Sequence, residues 1–412
     1  MKAKVIGIGA AGSKAAINLI EKGIMERKDV ILINSTIGDV PIEYRDIAIK
    51  YSNSTGGAGK ERKAAKQLCI ASINDGTLSC LDSLMDPDDK MVIIVNSSEG
   101  GTGCGSAPVI AKYMNDVIGT KVHTFVFTGF EEDGRGLQNT MEYFQELSED
   151  FIVEAISNSK FLVGNNKIAA ERRANDEFVE RVKVLLGIGI VDSEQNIDET
   201  DLYKVSTTPG FMNIEHIILN DRIKNIDMFN KLIIDAIDYS KSLESPDLSA
   251  KRIAVFMNLS DKSREFVDYS FSIIKERYGT PYEIFTHIQY DGKEEYINFI
   301  VSGMNLPLGE IERVYEKYQS MSNSVNISKD KFLEKTRAMS GPETNSMFDM
   351  ISNSKTTKKE SEYIEKKKSF LNDFESQWES QLNGFMNTVV VNNNLHDDEQ
   401  KRKKKEFLNN EF

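Results

Sequence analysis

At 412 residues the chain is long enough to bury a large core, and its length favours two domains with appendages. A net charge of −13 argues against sequence-wide attraction to nucleic acid, and no apolar run approaches the roughly 18–20 residues needed to cross a bilayer. Three cysteines without CxxC spacing (Cys69, Cys80, Cys104) and four scattered histidines (His123, His216, His287, His396) offer neither a disulfide framework nor a metal site, so chemistry should rest on carboxylates, amides and backbone.

Met1 runs directly into a strand-and-glycine pattern, which leaves no room for a cleaved signal peptide; a reducing cytoplasm is expected, with no membrane contact. In chain order, Lys4–Gly9 predicts a strand, Lys14–Lys22 a helix and Val30–Asn34 a second strand. Lys90–Asn96 and Lys121–Thr128 are further strands, with a helix from Ala107 to about Asp116 between them. Short, continuously apolar strands separated by helices indicate a parallel sheet covered on both faces. Asn139–Ile156 reads as a helix, and Asn166–Leu186 as a longer one with Phe178, Val182, Leu185 and Leu186 on its apolar stripe. The charged residues Glu171, Arg172, Arg173, Glu177, Glu180 and Arg181 fall mostly on its other faces. Further on, Arg252–Leu259, Glu283–Tyr290 and Glu295–Gly303 are strand candidates, the last two joined by the turn dipeptide Asp291-Gly292, with a helix at about Lys262–Tyr278. A stretch rich in Ser, Asn, Thr and Lys (Ser322–Lys355) precedes a helical segment at Lys358–Phe385 and a charged tail.

Two glycine clusters stand out. Gly7-Ile8-Gly9-Ala10-Ala11-Gly12 lies between a strand and a helix, where amides at a helix N-terminus can receive a phosphate. A dinucleotide-binding enzyme shares this pattern but expects an acid at the end of the second strand, where this chain has Asn34. Gly100-Gly101-Thr102-Gly103-Cys104-Gly105-Ser106-Ala107-Pro108 repeats the arrangement, and side chains in place of these glycines would block approach of the backbone to an anion. Ser54–Lys60 looks like a Walker loop, but Glu61 replaces the required Ser/Thr, so it reads as a third glycine loop at the same site.

Gly100–Pro108 resembles the tubulin signature, which in FtsZ reads GGGTGTGAAP, with Glu99, Cys104 and Ser106 as departures. The order of the other motifs is also similar to that of the tubulin/FtsZ superfamily, and most like its plasmid and phage TubZ members. The resemblance covers about residues 1–305. It implies an α/β fold with a Rossmann-like parallel-sheet GTPase domain (1–165), a long central helix (166–190) and a smaller mixed α/β second domain (191–320). A linker with C-terminal helices (321–390) and a flexible tail (391–412) would follow.

By the same resemblance GTP or GDP, with Mg²⁺ carried on its phosphates and water rather than on protein ligands, would contact a defined set of residues. These are Gly9, Ala10, Ala11, Gly12, Ser13 and Lys14 of the first loop, Asn34, and Gly57 and Gly59 of the third. Gly100, Gly101, Thr102 and Gly103 complete the phosphate cradle, Asp133 serves the ribose, and Asn158 and Asn175 the guanine edge. Asn196-Ile197-Asp198-Glu199-Thr200-Asp201 resembles the NxDxxD loop that enters the next subunit's pocket, which makes Asn196, Asp198 and Asp201 the expected catalytic residues. The implied activity is a polymerisation-dependent GTPase forming head-to-tail filaments for plasmid or phage DNA segregation. FtsZ-like division is the alternative role, and an NAD-dependent oxidoreductase the alternative of another class. The implied partners are further copies of the chain and a DNA-bound adaptor met by Lys401–Lys405, without sequence-specific DNA binding; that basic run reads equally as a solubilising tail.

Overall fold

The computed structural model describes residues 1–52, 57–147, 151–190, 196–219, 225–242, 249–260, 267–290, 294–305, 307, 310–311 and 313–321. Expectations for the 322–355 linker, the 358–385 helix and the Lys401–Lys405 tail lie outside the described residues, as does the Asp291-Gly292 turn. No described helix is long and apolar enough to cross a membrane.

The chain order is β1 (Ala3–Ile8), α1 (Gly9–Glu21), β2 (Val30–Asn34), β3 (Ala48–Lys50), α2 (Arg62–Asn74), β4 (Met91–Ser97) and α3 (Gly101–Tyr113). Then come β5 (Lys121–Thr128), α4 (Gly134–Glu146), β6 (Ile152–Ser157), α5 (Lys167–Leu186), α6 (Glu199–Ser206) and β7 (Gly210–Ile218). The last are α7 (Ile226–Asp238), β8 (Arg252–Asn258), α8 (Val267–Tyr278), β9 (Glu283–Gln289) and β10 (Tyr296–Met304). They build one ten-stranded sheet in the order β3-β2-β1-β4-β5-β6-β7-β10-β8-β9. Strands β1 to β6 pair with one another only in parallel, so their loops to the following helices gather at one end. The join to the second part is narrow: β6 meets β7 through Ile152–Gly210 and Val153–Phe211. Beyond it, β10 runs antiparallel to both β7 and β8.

The continuously apolar strands are the buried ones, as a sheet covered on both faces requires. Every residue of β1 is buried, and two apolar clusters occupy the two faces. On one face the predicted stripe of α5 (Phe178, Val182, Leu185, Leu186) packs beneath β5, where Phe125 and Phe178 meet edge to face at 5.0 Å.

Four expectations change. The helix placed at Asn139–Ile156 is two elements, α4 and the buried strand β6. The burial of β6 on both faces leaves no polar alternation to reveal a strand, and Glu154, its one charged residue, is buried with the rest. The hairpin between Glu283–Tyr290 and Glu295–Gly303 does not form, because β8 lies between β9 and β10. Arg181, assigned to a polar face, is fully buried, where its guanidinium pairs with Glu154, Glu177 and Glu215. Finally, α3 starts at Gly101 rather than Ala107, so the glycine cluster is the first turns of the helix itself.

Candidate functional site

The site begins where β1 and β4 end. Gly9 follows Ile8 with φ +73° and opens α1, while Gly100, in extended conformation, precedes α3. Neither helix receives a side-chain cap, and neither has an acid in its first turn. By contrast α4, α5, α6 and α7 are capped by their own Asp133, Asn166, Asp198 and Asn225. Uncapped first-turn N–H groups and the positive end of the helix dipole favour an anion at such an N-terminus. The two are adjacent: a Cβ on Gly9 would come within 2.9 Å of the Gly103 nitrogen.

The glycines of α3 serve packing as well as access. A Cβ on Gly103 would lie 3.1 Å from the Ile8 carbonyl oxygen and 3.2 Å from the Ser97 nitrogen, and one on Gly105 would lie 2.4 Å from the Arg62 carbonyl oxygen. The spacing therefore lets α3 press onto β1, β4 and α2 at once. Thr102 is turned away to share a 2.7 Å hydroxyl hydrogen bond with Ser35, just after Asn34. Gly101 is pressed against the Lys60–Glu61 backbone in the same way.

Three buried polar atoms near these loops have no hydrogen-bond partner among the described residues: Ser13 Oγ on α1, Asn34 Nδ2 at the end of β2, and Asn158 Oδ1 after β6. Burial of an unmatched polar group is costly, so a ligand rich in donors and acceptors fits their positions. Gly12 is buried, Ala11 half-buried, and Ala10 and Lys14 exposed at the same helix start. Asn175 lies half-buried on α5 and accepts through its backbone carbonyl from Asn18 Nδ2 of α1 (3.3 Å), which holds the two helices together. Of the third loop, Gly57 lies beside Thr36 and Ser35, and Gly59 has φ +56°.

Asp133 caps α4 by accepting from the Gly136 nitrogen (2.8 Å) and pairs with Lys60 Nζ at 2.5 Å. Both contacts hold its carboxyl below the usual range, the lysine foremost. Asn139 Nδ2 donates to the carbonyls of Lys60 and Glu99, each at 3.0 Å, and so ties the third loop to the Gly100 loop. Sequence reading missed this residue. Its signal was an amide one helical turn before Tyr143, on a face of α4 that is buried.

Asn196, Asp198 and Asp201 are elsewhere. Asp198 Oδ1 accepts from the Asp201 nitrogen (2.8 Å) and caps α6, while Asp201 pairs with Lys204 at 3.0 Å. The next residue, Glu199, lies 4.0 Å from the Met1 amino group, which donates to the Leu186 carbonyl at the end of α5. Met1 precedes β1 and the cradle follows it. Six residues of strand, about 20 Å at about 3.3 Å each, separate this loop from the cradle of the same chain.

No family model matches the chain. Among curated proteins it is 28% identical over 223 residues to the cell division protein FtsZ of Mycoplasmopsis pulmonis, covering 50% of this chain and 53% of that protein. It is 26% identical over 216 residues to the tubulin-like protein CetZ1 of Haloferax volcanii, covering 48% and 54%. The chain thus spans about half the length of the curated relatives it matches. Among solved structures, the GDP-bound CetZ1 monomer of H. volcanii superimposes with a TM-score of 0.63 at 19% identity, over 78% of this chain and 100% of that one. The TubZ-Bt two-stranded filament gives 0.67 at 14% identity, over 83% and 93%. Clostridium botulinum phage c-st TubZ gives 0.59 at 16% identity, over 78% and 98%. The fold is that of the tubulin/FtsZ superfamily, with FtsZ, CetZ and TubZ proteins at comparable similarity.

Proposed function

From this tubulin/FtsZ fold we propose that the chain is a GTPase that assembles head to tail into filaments, with each hydrolytic site completed by a second copy. The observation that carries the reading is the separation within one chain. Two uncapped helix N-termini meet at Gly9 and Gly103, while Asp198 and Asp201 stand at the opposite end of the sheet. A contact joining opposite ends of identical subunits does not close on itself and propagates as a filament.

In this reading residues 1–165 bind nucleotide, with 166–190 and 191–320 as central helix and second domain. The α1 and α3 amides hold the phosphates, Ser13 and Asn34 supply polar atoms beside them, and Asn158 and Asn175 face the guanine. Asp133 serves the ribose. Mg²⁺ arriving on the phosphates would neutralise charge during phosphoryl transfer. Asp198 and Asp201 of the neighbour orient and deprotonate water, with Asn196 positioning it. A dinucleotide enzyme is disfavoured by Asn34, where that chemistry wants an acid.

The test uses Asp198→Asn, because asparagine still caps a helix and leaves α6 intact. The specific GTPase rate of the native chain should rise with protein concentration, and NAD should not displace GTP. Asp198→Asn should bind GTP and pellet with it, yet hydrolyse about 100-fold more slowly. A normal rate in that variant would remove the catalytic assignment; a concentration-independent rate would remove the shared site.

Segregation of plasmid or phage DNA is the role we favour, by way of Lys401–Lys405 and an acidic adaptor–DNA surface. The similarity to FtsZ proteins supports cell division as the second reading.

A further inference from the structure

Three consecutive acids follow β5, and each is held by a different element. Asp133 pairs with Lys60 of the third glycine loop, Glu132 with Lys167 at the start of α5, and Glu131 with the helical residues 313–319 that follow β10. The Glu131 contact is the most elaborate. The Arg313 guanidinium grips its carboxylate with both terminal nitrogens, one at 2.8 Å, and Lys317 Nζ adds a contact at 3.1 Å. Arg313 Nε in turn donates to Glu310 at 2.9 Å. Ile311 and Val314 line a crevice with Leu137, Met141 and Phe144 of α4, which seats this segment beside the 129–133 loop.

Glu131 has φ +58°, a conformation that costs a residue with a side chain about 1 kcal/mol or more and persists where its surroundings impose it. Two contacts impose it here. Its nitrogen donates to Glu99 Oε1 at 3.0 Å, and its carboxylate is fixed by Arg313. Glu99 immediately precedes Gly100, the residue that opens the phosphate helix α3. Its carboxylate also occupies the space above Gly129, where any Cβ would overlap it at 1.8 Å. A continuous set of contacts thus runs from Arg313 through Glu131 and Glu99 to the start of the cradle.

We propose that Arg313 is a positioning residue for the nucleotide site: its fork on Glu131 sets the 129–133 loop and, through Glu99, the start of α3. Nucleotide affinity is thereby coupled to the placement of the helical segment after β10. The inference rests on the nucleotide reading of the cradle. Coupling of this kind is reciprocal, so nucleotide binding also steadies that segment.

The test is a double-mutant cycle on the full chain, with binding of the fluorescent GDP analogue mant-GDP measured below the concentration at which the protein pellets. Arg313→Gln and Glu131→Gln should each weaken binding about fivefold, the low end for coupled sites because Arg313 is half-exposed. The double variant should bind no worse than the weaker single, and Arg313→Lys should recover part of the loss through its charge without the fork. Amides of residues 129–136 should exchange hydrogen faster in both single variants. Unchanged affinity in the single variants, or losses that multiply in the double, would overturn the inference alone. Absence of mant-GDP binding by the native chain would instead overturn the nucleotide reading, and this inference with it.

Discussion

Buried single residues carry chemistry that their type alone does not announce. Glu99 replaces the first glycine of the FtsZ pattern, and its carboxyl is pushed above the usual range by burial, against the pull of the Glu131 amide. The price of that side chain is a bare Gly129 beneath it. His123 is fully buried and stacked on Phe125 at 4.6 Å, and burial pushes its imidazole down to about 3. Below the ordinary value near 6.5 the unfolded chain takes up a proton that the folded chain refuses, so stability is lost as pH falls from 6.5 towards 3. In His123→Phe, the drop in unfolding free energy between pH 7.5 and 5.5 should be smaller than in the native chain by about 1.4 kcal/mol. Urea denaturation at both pH values measures this, and equal drops would refute the assignment.

Among the elements, α3 shows why a glycine-rich stretch can be helical despite poor propensity. Packing on three sides outweighs the backbone entropy, because only a helix without Cβ atoms on those faces approaches β1, β4 and α2 so closely. Gly105→Ala should therefore cost about 1–3 kcal/mol, since its Cβ would meet the α2 backbone and force the helices apart. Gly100→Ala, with none of the described residues within 4 Å of the added carbon, should cost clearly less. Denaturant midpoints of the two variants compare them directly. The predicted strands β1, β2, β4 and β5 were legible because buried parallel strands are short, apolar and bounded by glycine or polar residues. The strand β7 and helix α2 went unread, and β6 was absorbed into a helix, because their partners rather than their own periods select their state.

Over the whole molecule, the proposed function depends on which end of the sheet each loop reaches. The cradle and the 196–201 loop lie at opposite ends, and α5 links them. The basic run Lys401–Lys405 lies outside the described residues, and its role is testable without its structure. Deleting residues 394–412 should leave GTP hydrolysis and pelleting unchanged while abolishing co-pelleting with an adaptor–DNA complex. Retained co-pelleting would move the contact elsewhere on the chain.

By itself the sequence determined the parallel-sheet class and the placing of the two glycine clusters at strand-to-helix junctions, because strand hydrophobicity and glycine spacing are local properties of the chain. Only the tertiary structure decided that the second cluster is helix rather than loop, that β8 separates β9 from β10, and that Arg181 is buried. It also decided that Glu131 answers to Arg313, 182 residues away. Each of those depends on contacts between segments distant in the chain, whose close approach no local pattern encodes.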